Sequence, residues 1–148
     1  MHLHFTICVQ NDDKRGYTGN MVVNGVGQLL FTVMTTAGKT EASMPSAGVR
    51  ADFEDTMFTV SPNHWSNHDI QVKLLVRTWQ WVVADYASDH GCDLDEAARE
   101  VKCLHILDCW PVNITDRLRS EVAEKCPGMT LMFVPAGYTG QKQVFNII

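Results

Sequence analysis

The segment from His105 to Leu118, "HILDCWPVNITDRL", contains the residue best placed to do chemistry. Asp108 closes a β-prone run and is followed by a turn and a helix-like stretch. Ligands of α/β sheets bind off the carboxyl ends of strands, and carboxylate oxygens are ligands that Mg²⁺ prefers. Cleavage of a phosphodiester by two metal ions about 4 Å apart needs several such carboxylates. Asp108 therefore indicates a metal site only if the chain supplies its companions; alone, it fits a turn or a helix cap.

The composition of the chain limits the classes of protein to which it can belong. Its 148 residues are 45% hydrophobic and 20% charged, which is typical of one globular domain spanning residues 1–148. No apolar run reaches the roughly 20 residues of a membrane span, and the first residues do not form a signal peptide. We therefore expect an intracellular protein, in the nucleus or cytoplasm, with no membrane partner.

The distribution of charges and cysteines narrows the function further. The net charge is −5 and the twelve Lys and Arg residues are scattered. Duplex binding draws its affinity from clustered cations that meet phosphates, so we exclude a strong DNA binder and leave weak DNA binding open. The five cysteines contain no Cys-x-x-Cys pair and are expected to be buried thiols.

Hydrophobic periodicity and turn signals predict the order of the elements. The expected strands are 3–9, 17–23, 29–35, 101–107 and 129–134, and the expected helices are 66–91, 93–102 and 116–125. The Asn-Gly pair at 24–25 predicts a hairpin, and residues 37–67 are predicted to form a long loop or insertion. This order indicates a mixed α/β layer in which the strands 101–107 and 129–134 are parallel neighbours.

The ends and faces of the two best-defined helices can also be predicted. Ser66 with Asp69 resembles a capping pair for the long helix, and Asn113 or Thr115 is expected to cap the helix at 116–125. A stripe along the long helix and three inward residues of the later helix are expected in the core: Val72, Leu75, Val76, Trp79, Val82, Val83, Tyr86, Leu118, Val122 and Cys126.

Four motifs of the chain together resemble a known family. "NDDKRGYT", "GVGQLLFTVMTTAGKT", "HILDCWPVNITD" and "LMFVPAGYTGQKQVFNII" are similar, in this order, to the catalytic core of DDE superfamily transposases of the Tc1/mariner and pogo/Tigger kind. The resemblance spans most of the chain. It implies an α/β, ribonuclease H-like mixed sheet flanked by helices, and an activity that cuts and joins DNA with divalent metal. It also implies that this chain lacks the family's first strand and last helix.

The resemblance assigns roles to individual residues. Asp108 matches the family's second catalytic Asp, and Asn146 falls on the third acidic position, after the "P-x-G-x-T-G-x-x-Q" loop. Cys109 stands where relatives often have Asn, and Asn113 where they often have His. The first Asp of the family lies on a strand before "DDKR", and we expect this chain to begin too late to contain it.

The changed acidic positions lead to the main hypothesis. An Asn amide is a neutral ligand and weaker than a carboxylate for a hard cation, so Asp108 with Asn146 would hold Mg²⁺ or Mn²⁺ poorly. We predict a transposase-derived ribonuclease H-like domain with a degenerate active site and no catalysis. It would need no cofactor and would act by binding protein or nucleic acid. The sequence identifies no particular protein partner.

Two alternatives stay open. In the first, Asp108 belongs to a rebuilt metal-dependent DNA endonuclease whose other carboxylates come from the "DDKR" segment or the long loop: Asp12, Asp13, Asp52, Glu54 and Asp55. The second is a homo-oligomeric module. An unfilled first-strand position and the apolar tail "VFNII" favour a homodimer that exchanges its amino-terminal strand or its tail.

Overall fold

The secondary structure is that of a mixed α/β protein, as the sequence predicts. The computed structural model describes residues 16–135 in full and residues 2–10 by their backbone. The strands are β1 (His2–Gln10), β2 (Tyr17–Asn24), β3 (Leu29–Ala37), β4 (Thr56–Ser61), β5 (Cys103–Asp108) and β6 (Met129–Val134). The α-helices are α1 (Ala47–Ala51), α2 (His68–His90), α3 (Leu94–Glu100) and α4 (Asp116–Lys125), and a 3-10 turn spans Glu41–Ser43.

The six strands form one sheet in the order β4-β3-β2-β1-β5-β6. β2 pairs antiparallel with both β1 and β3, while the pairs β3–β4, β1–β5 and β5–β6 are parallel. Of the described strands, β2 alone therefore runs against the others. The carboxyl ends of the remaining five strands point to the same side of the sheet, and we call this side the carboxyl edge.

The predicted hairpin joins β2 to β3. Asn24 Oδ1 accepts hydrogen bonds from the backbone N–H of Val26 (3.2 Å) and Gln28 (2.9 Å). Gly27 adopts a φ of 85°, a left-handed conformation that glycine takes without steric cost. The Asn-Gly signal thus predicted the right connection.

The N-cap of the long helix α2 lies one residue later than predicted. Asn67 is the N-cap, and its side chain accepts from the backbone N–H of Ile70 (3.1 Å), which corrects the assignment to Ser66. The helix ends at Gly91, whose φ is 65°. Five members of the predicted stripe are buried, Val76 and Tyr86 are partly buried, and the helix buries further residues: Ile70, Gln71, Leu74, Thr78 and Ala87.

Helices α2 and α4 lie on the same side of the sheet. The guanidinium of Arg77 on α2 sits 5.0 Å from the ring centre of Phe31, and that of Arg119 on α4 sits 5.1 Å from the ring centre of Phe133. The α4 residues expected in the core, Leu118, Val122 and Cys126, are all buried. The main core therefore fills the space between these helices and one face of the sheet.

One sequence expectation about the sheet is wrong. Residues 37–67 are not an irregular loop, because they contain β4, which pairs with β3 over six residues. The predicted amino-terminal strand is present as β1, which lies between β2 and β5 and pairs with both. The expected absence of a last helix concerns residues after β6, which lie outside the described part of the chain.

Candidate functional site

Asp108 is the last residue of β5 and lies at the carboxyl edge. Its Oδ1 accepts a hydrogen bond from the side-chain amide of Asn113 (2.8 Å) and a longer one from the backbone N–H of Trp110 (3.4 Å). Asn113 Nδ2 also reaches the backbone oxygen of Asp108 at 3.3 Å. This carboxylate therefore bonds to the turn that follows it, as Asp side chains commonly do in turns.

Asn113 connects Asp108 to helix α2. Its Oδ1 accepts a hydrogen bond of 2.6 Å from Gln71 Nε2, and both amide side chains are 2% exposed. We call this chain of contacts the Gln71–Asn113–Asp108 network. Buried amides of this kind are stabilising only when they are paired. The network therefore fixes the turn after β5, and it occupies one of the two carboxylate oxygens of Asp108.

An aromatic stack lies beside this network. The rings of Trp65 and Trp110 are stacked with centroids 5.3 Å apart, and His64 stacks on Trp65 at 5.4 Å. His64 has a φ of 56° and shares a hydrogen bond of 3.2 Å with Thr18 Oγ1. The stack joins the segment between β4 and α2 to the turn after β5. Sequence reasoning missed it, although both tryptophans follow strands that end at the carboxyl edge.

The strands next to Asp108 supply no second carboxylate. On β6, Val134 is its partner in the register. On β1, Phe5 is opposite Ile106, and continuing this parallel register by two residues places Ile7 opposite Asp108. The nine residues of β1 contain neither Asp nor Glu. Asp108 is thus flanked by hydrophobic residue types on both neighbouring strands.

The loop carboxylates of the rebuilt-site hypothesis lie far from Asp108. Asp52, Glu54 and Asp55 immediately precede β4, which is separated from β5 by β3, β2 and β1. Four strand spacings amount to about 19 Å, whereas two catalytic metals lie about 4 Å apart. In the described part of the chain no group of three or more His, Cys, Asp or Glu residues is arranged to hold a metal ion. Within one chain these three residues are therefore not brought together with Asp108, and a site completed across a dimer stays a prediction.

Other predicted site residues lie outside the described part of the chain. They are Asn146, the two "DDKR" carboxylates Asp12 and Asp13, and the loop residues Gly137, Thr139, Gly140 and Gln143.

A second polar cluster ties α2 to α4. Glu121 accepts hydrogen bonds from Lys125 Nζ and from His68 Nε2, both at 2.7 Å. The contact with Lys125, followed by that with His68, lowers the pKa of Glu121 below its ordinary value, and the same contact raises the pKa of Lys125. His68 is therefore engaged between helices α2 and α4.

The cysteines Cys103 and Cys126 are buried, as the sequence predicts. Burial raises the pKa of Cys103 to about 12, with a smaller contribution from Cys126, and raises the pKa of Cys126 to about 11. Thiolates are the nucleophilic and metal-binding form of cysteine. These two thiols are consequently poor candidates for either role.

Comparisons of this chain with protein-family profiles, curated protein sequences and solved structures gave no match. A separate observation concerns membranes: in the part of the chain that the structure describes, no helix is both long and apolar enough to cross a bilayer.

Proposed function

We propose that this protein is a ribonuclease H-like domain of DDE transposase descent that no longer cleaves DNA and acts by binding. The observation that carries the proposal is the pairing of β1 with β5. β1 is the strand before "DDKR", on which the family has its first Asp, and it lies parallel and adjacent to the strand that ends at Asp108. Two strands in this relation can present two acidic residues to one pair of metals.

The residue types at these positions support the loss of cleavage. The position next to Asp108 on β1 is Ile7, and Asn146 stands at the family's third acidic position. The remaining acidic residue, Asp108, bonds to Asn113 and Trp110. A single carboxylate with one oxygen engaged cannot offset the charge and the dehydration of two divalent cations. In this proposal β1 corresponds to the family's first strand, and Ile7 stands at the position of its Asp.

Binding is the activity that remains. With a net charge of −5, we expect duplex DNA to bind no more tightly than nonspecific complexes do, with Kd values of about 10⁻⁴–10⁻⁶ M. We therefore propose a protein partner in the nucleus or cytoplasm as the main ligand. A dimer that exchanges its amino-terminal strand is not favoured, because β1 is already paired on both sides in the middle of the sheet.

The first test of this proposal is plasmid nicking. The full chain is incubated with supercoiled plasmid and Mg²⁺ or Mn²⁺, beside Asp108→Asn. We expect no nicking above background from either protein, because the metal pair does not assemble. Metal-dependent nicking by the natural chain that disappears in Asp108→Asn would show that cleavage persists.

The second test restores the acidic residues and addresses descent. In the double variant Ile7→Asp with Asn146→Asp, three carboxylates would converge if the proposed correspondence holds. We expect calorimetry to detect Mn²⁺ binding that is absent from the natural chain and is abolished by a further Asp108→Asn. The matched control is Thr6→Asp with Asn146→Asp, which moves the new acid by one residue along β1. Equal Mn²⁺ binding by both double variants, or by neither, would contradict the correspondence.

A further inference from the structure

An open cleft of about 450 Å³ lies beside helix α2, and its lining comes from β4, α2 and α4. Met57 of β4 is the register partner of Val33, which lies two residues after Phe31 on β3. Because residues two apart on a strand point to the same face, Met57 belongs to the sheet face over which Arg77 of α2 packs. Small-molecule pockets have volumes of about 300–1,000 Å³, so the cleft is large enough for a ligand.

Three basic side chains line this cleft: Lys73, Arg77 and Lys125. Lys73 and Arg77 are four residues apart on α2 and therefore share one face of that helix. Lys125 belongs to the last turn of α4, which packs against α2 through the contact of Glu121 with His68. Three of the twelve Lys and Arg residues thus line a single cleft in a chain whose net charge is −5.

The positive charge of the cleft is only partly offset. Glu121 accepts a hydrogen bond from Lys125 Nζ, and this ion pair neutralises one of the three cations. In the described part of the chain, no carboxylate forms an ion pair with Lys73 or Arg77. Three cations less one carboxylate leave a formal charge of +2 along the lining. An anionic ligand with two charges would match this surplus.

Arg77 is held in place before any ligand arrives. Its guanidinium lies 5.0 Å from the ring centre of Phe31, which is 1% exposed and therefore fixed in the core. A guanidinium packed on an aromatic ring keeps its N–H groups directed away from the ring plane's centre and available to oxygen atoms. Arg is suited to bind two oxygens of one phosphate at once, whereas the exposed Lys73 contributes a mobile point charge.

The rest of the lining is mainly apolar. Val72 is 7% exposed, and Met57 and Val76 are half-buried. These three side chains lie in the same cleft as the cations. Ligand sites commonly combine an apolar lining with a few polar groups that fix the orientation of the ligand. The cleft therefore suits a molecule that has an anionic head and an apolar body.

We propose that this cleft binds a phosphate monoester with an apolar body. A phosphate monoester carries a charge of about −1.5 to −2 at pH 7 and three acceptor oxygens, which matches the surplus of the cleft, whereas a carboxylate or a phosphodiester carries one charge. The head would meet Arg77 and Lys73, and the body would meet the apolar lining. The site contains no residue of the Gln71–Asn113–Asp108 network and does not depend on transposase descent or on the loss of cleavage.

Amide NMR of the full chain at pH 7 and constant ionic strength tests the proposal, with phenyl phosphate as the probe. We expect saturable shifts along α2 and at Met57, with a Kd of roughly 1 mM. Inorganic phosphate, which has the head alone, and benzyl alcohol, which has the body alone, should bind several-fold more weakly. A short peptide containing phosphotyrosine distinguishes the source: tighter binding than phenyl phosphate indicates a phosphorylated protein, and weaker binding indicates a free small molecule.

Substitutions separate the head from the body. Lys73→Gln should weaken phenyl phosphate by roughly threefold or more, and because this side chain is exposed the fold is kept. Arg77→Gln should weaken it by roughly tenfold. Val76→Thr should weaken phenyl phosphate while leaving inorganic phosphate unchanged. The matched control is Lys102→Gln, which removes the same charge from an exposed lysine outside the cleft and should bind as the natural chain does.

Four outcomes would overturn the proposal. They are the absence of saturable shifts with phenyl phosphate, equal affinity for inorganic phosphate and phenyl phosphate, and equal affinities of Lys73→Gln and Lys102→Gln. The fourth is displacement of phenyl phosphate by an oligothymidylate at the same phosphate concentration, because this result would assign the cations to a nucleic-acid backbone.

Discussion

Asn113 is the residue on which the geometry around Asp108 depends. The sequence predicted it as a cap of α4 or as a substitute for a histidine of the family. In the structure Thr115 caps α4, while the amide of Asn113 is buried between Gln71 and Asp108. A polar residue in a turn is ordinarily solvated, whereas Asn113 is buried and bonds to Gln71 of α2. That long-range contact is the part of the site that the sequence does not reveal.

The first prediction concerns the network at this residue. Asn113→Ala leaves Gln71 Nε2 without its acceptor and removes the shorter of the two hydrogen bonds to Asp108 Oδ1. It should lower the free energy of unfolding by about 1–3 kcal/mol. Urea denaturation measures the change. The control is Ile114→Ala at the next residue, which is 44% exposed and should change the stability by less than about 0.5 kcal/mol. Equal effects of the two substitutions would show that the network is not stabilising.

The second prediction concerns the accessibility of the thiols. In a Cys8→Ser background four cysteines remain, of which Cys103 and Cys126 are buried and Cys92 and Cys109 are half-buried. A thiol reagent should modify two cysteines of the folded protein and the other two only after urea is added. Rapid modification of all four without denaturant would contradict the burial of Cys103 and Cys126.

The third prediction is a loss of stability in alkali. The pKa values of Cys103 and Cys126 are raised from 9.0 to about 12 and about 11, so above pH 9 the unfolded chain loses thiol protons that the folded chain keeps. Their contribution to stability is therefore fully present below pH 9 and declines as the pH rises towards these values. Urea midpoints measured across this range should fall less steeply in Cys103→Ala than in the matched Cys92→Ala. If the urea midpoints of the two variants changed with pH in the same way, the raised pKa of Cys103 would not contribute to stability.

At the scale of elements, the sequence predicted the strands that have a clear pattern and missed the one that lacks it. β2 and β3 were found from their flanking Asn-Gly turn, and β5 and β6 from their apolar runs. β4, "TMFTVS", lies among Gly, Pro and polar residues that indicate a loop, and two of its six residues are threonine and one is serine. The position of β4 at the edge of the sheet is determined by backbone hydrogen bonds to β3. Such bonds do not require particular residue types, so they are not visible in the sequence.

The fourth prediction tests how closely α2 approaches the turn before β6. A Cβ at Gly128 would collide with the backbone oxygen of Val101 and the ring of Trp79. Because backbone is one of the obstacles, Gly128→Ala should destabilise the protein by about 1–3 kcal/mol or more. Thermal unfolding measures this, with Gly48→Ala in α1 as the control, where a Cβ meets nothing within 4 Å. Similar melting temperatures for the two variants would disprove the close approach.

The fifth prediction tests the tie between α2 and α4. The pKa of Glu121 is lowered by Lys125 and His68, so its contribution to stability is present above its ordinary pKa of 4.5 and is lost as the pH falls through the lowered value. Glu121→Gln should therefore flatten the decline of stability in acid, whereas Glu124→Gln on the same helix should leave it unchanged. Melting curves between neutral and acidic pH provide the comparison. If the melting temperatures of Glu121→Gln and of the natural chain depended on pH in the same way, the contacts of Glu121 with Lys125 and His68 would not be stabilising.

At the scale of the whole molecule, the sequence predicted the class and the parallel pair β5–β6 but not the position of the amino-terminal strand in the sheet. The strand at 3–9 was predicted, but its pairing with β5 was not. The hydrophobic pattern of a strand does not indicate which other strands it will pair with. In the structure this strand lies inside the sheet, between β2 and β5. The candidate site changed for the same reason: Asp108 was placed correctly at a strand end, while its surroundings depend on contacts between distant segments.

The pairing of His2 with Cys103 joins positions 101 residues apart in the chain. While the ribosome is still producing the middle of this protein, one flank of β1 has no strand to pair with. Bringing the two ends of so large a loop together costs entropy, which slows the pairing of β1 with β5. Until this pairing forms, the unpaired edge of β1 can pair with other chains and cause aggregation. Newly made chains should accordingly depend on chaperones until β5 emerges, and refolding from urea should be slower than for helical proteins of the same length.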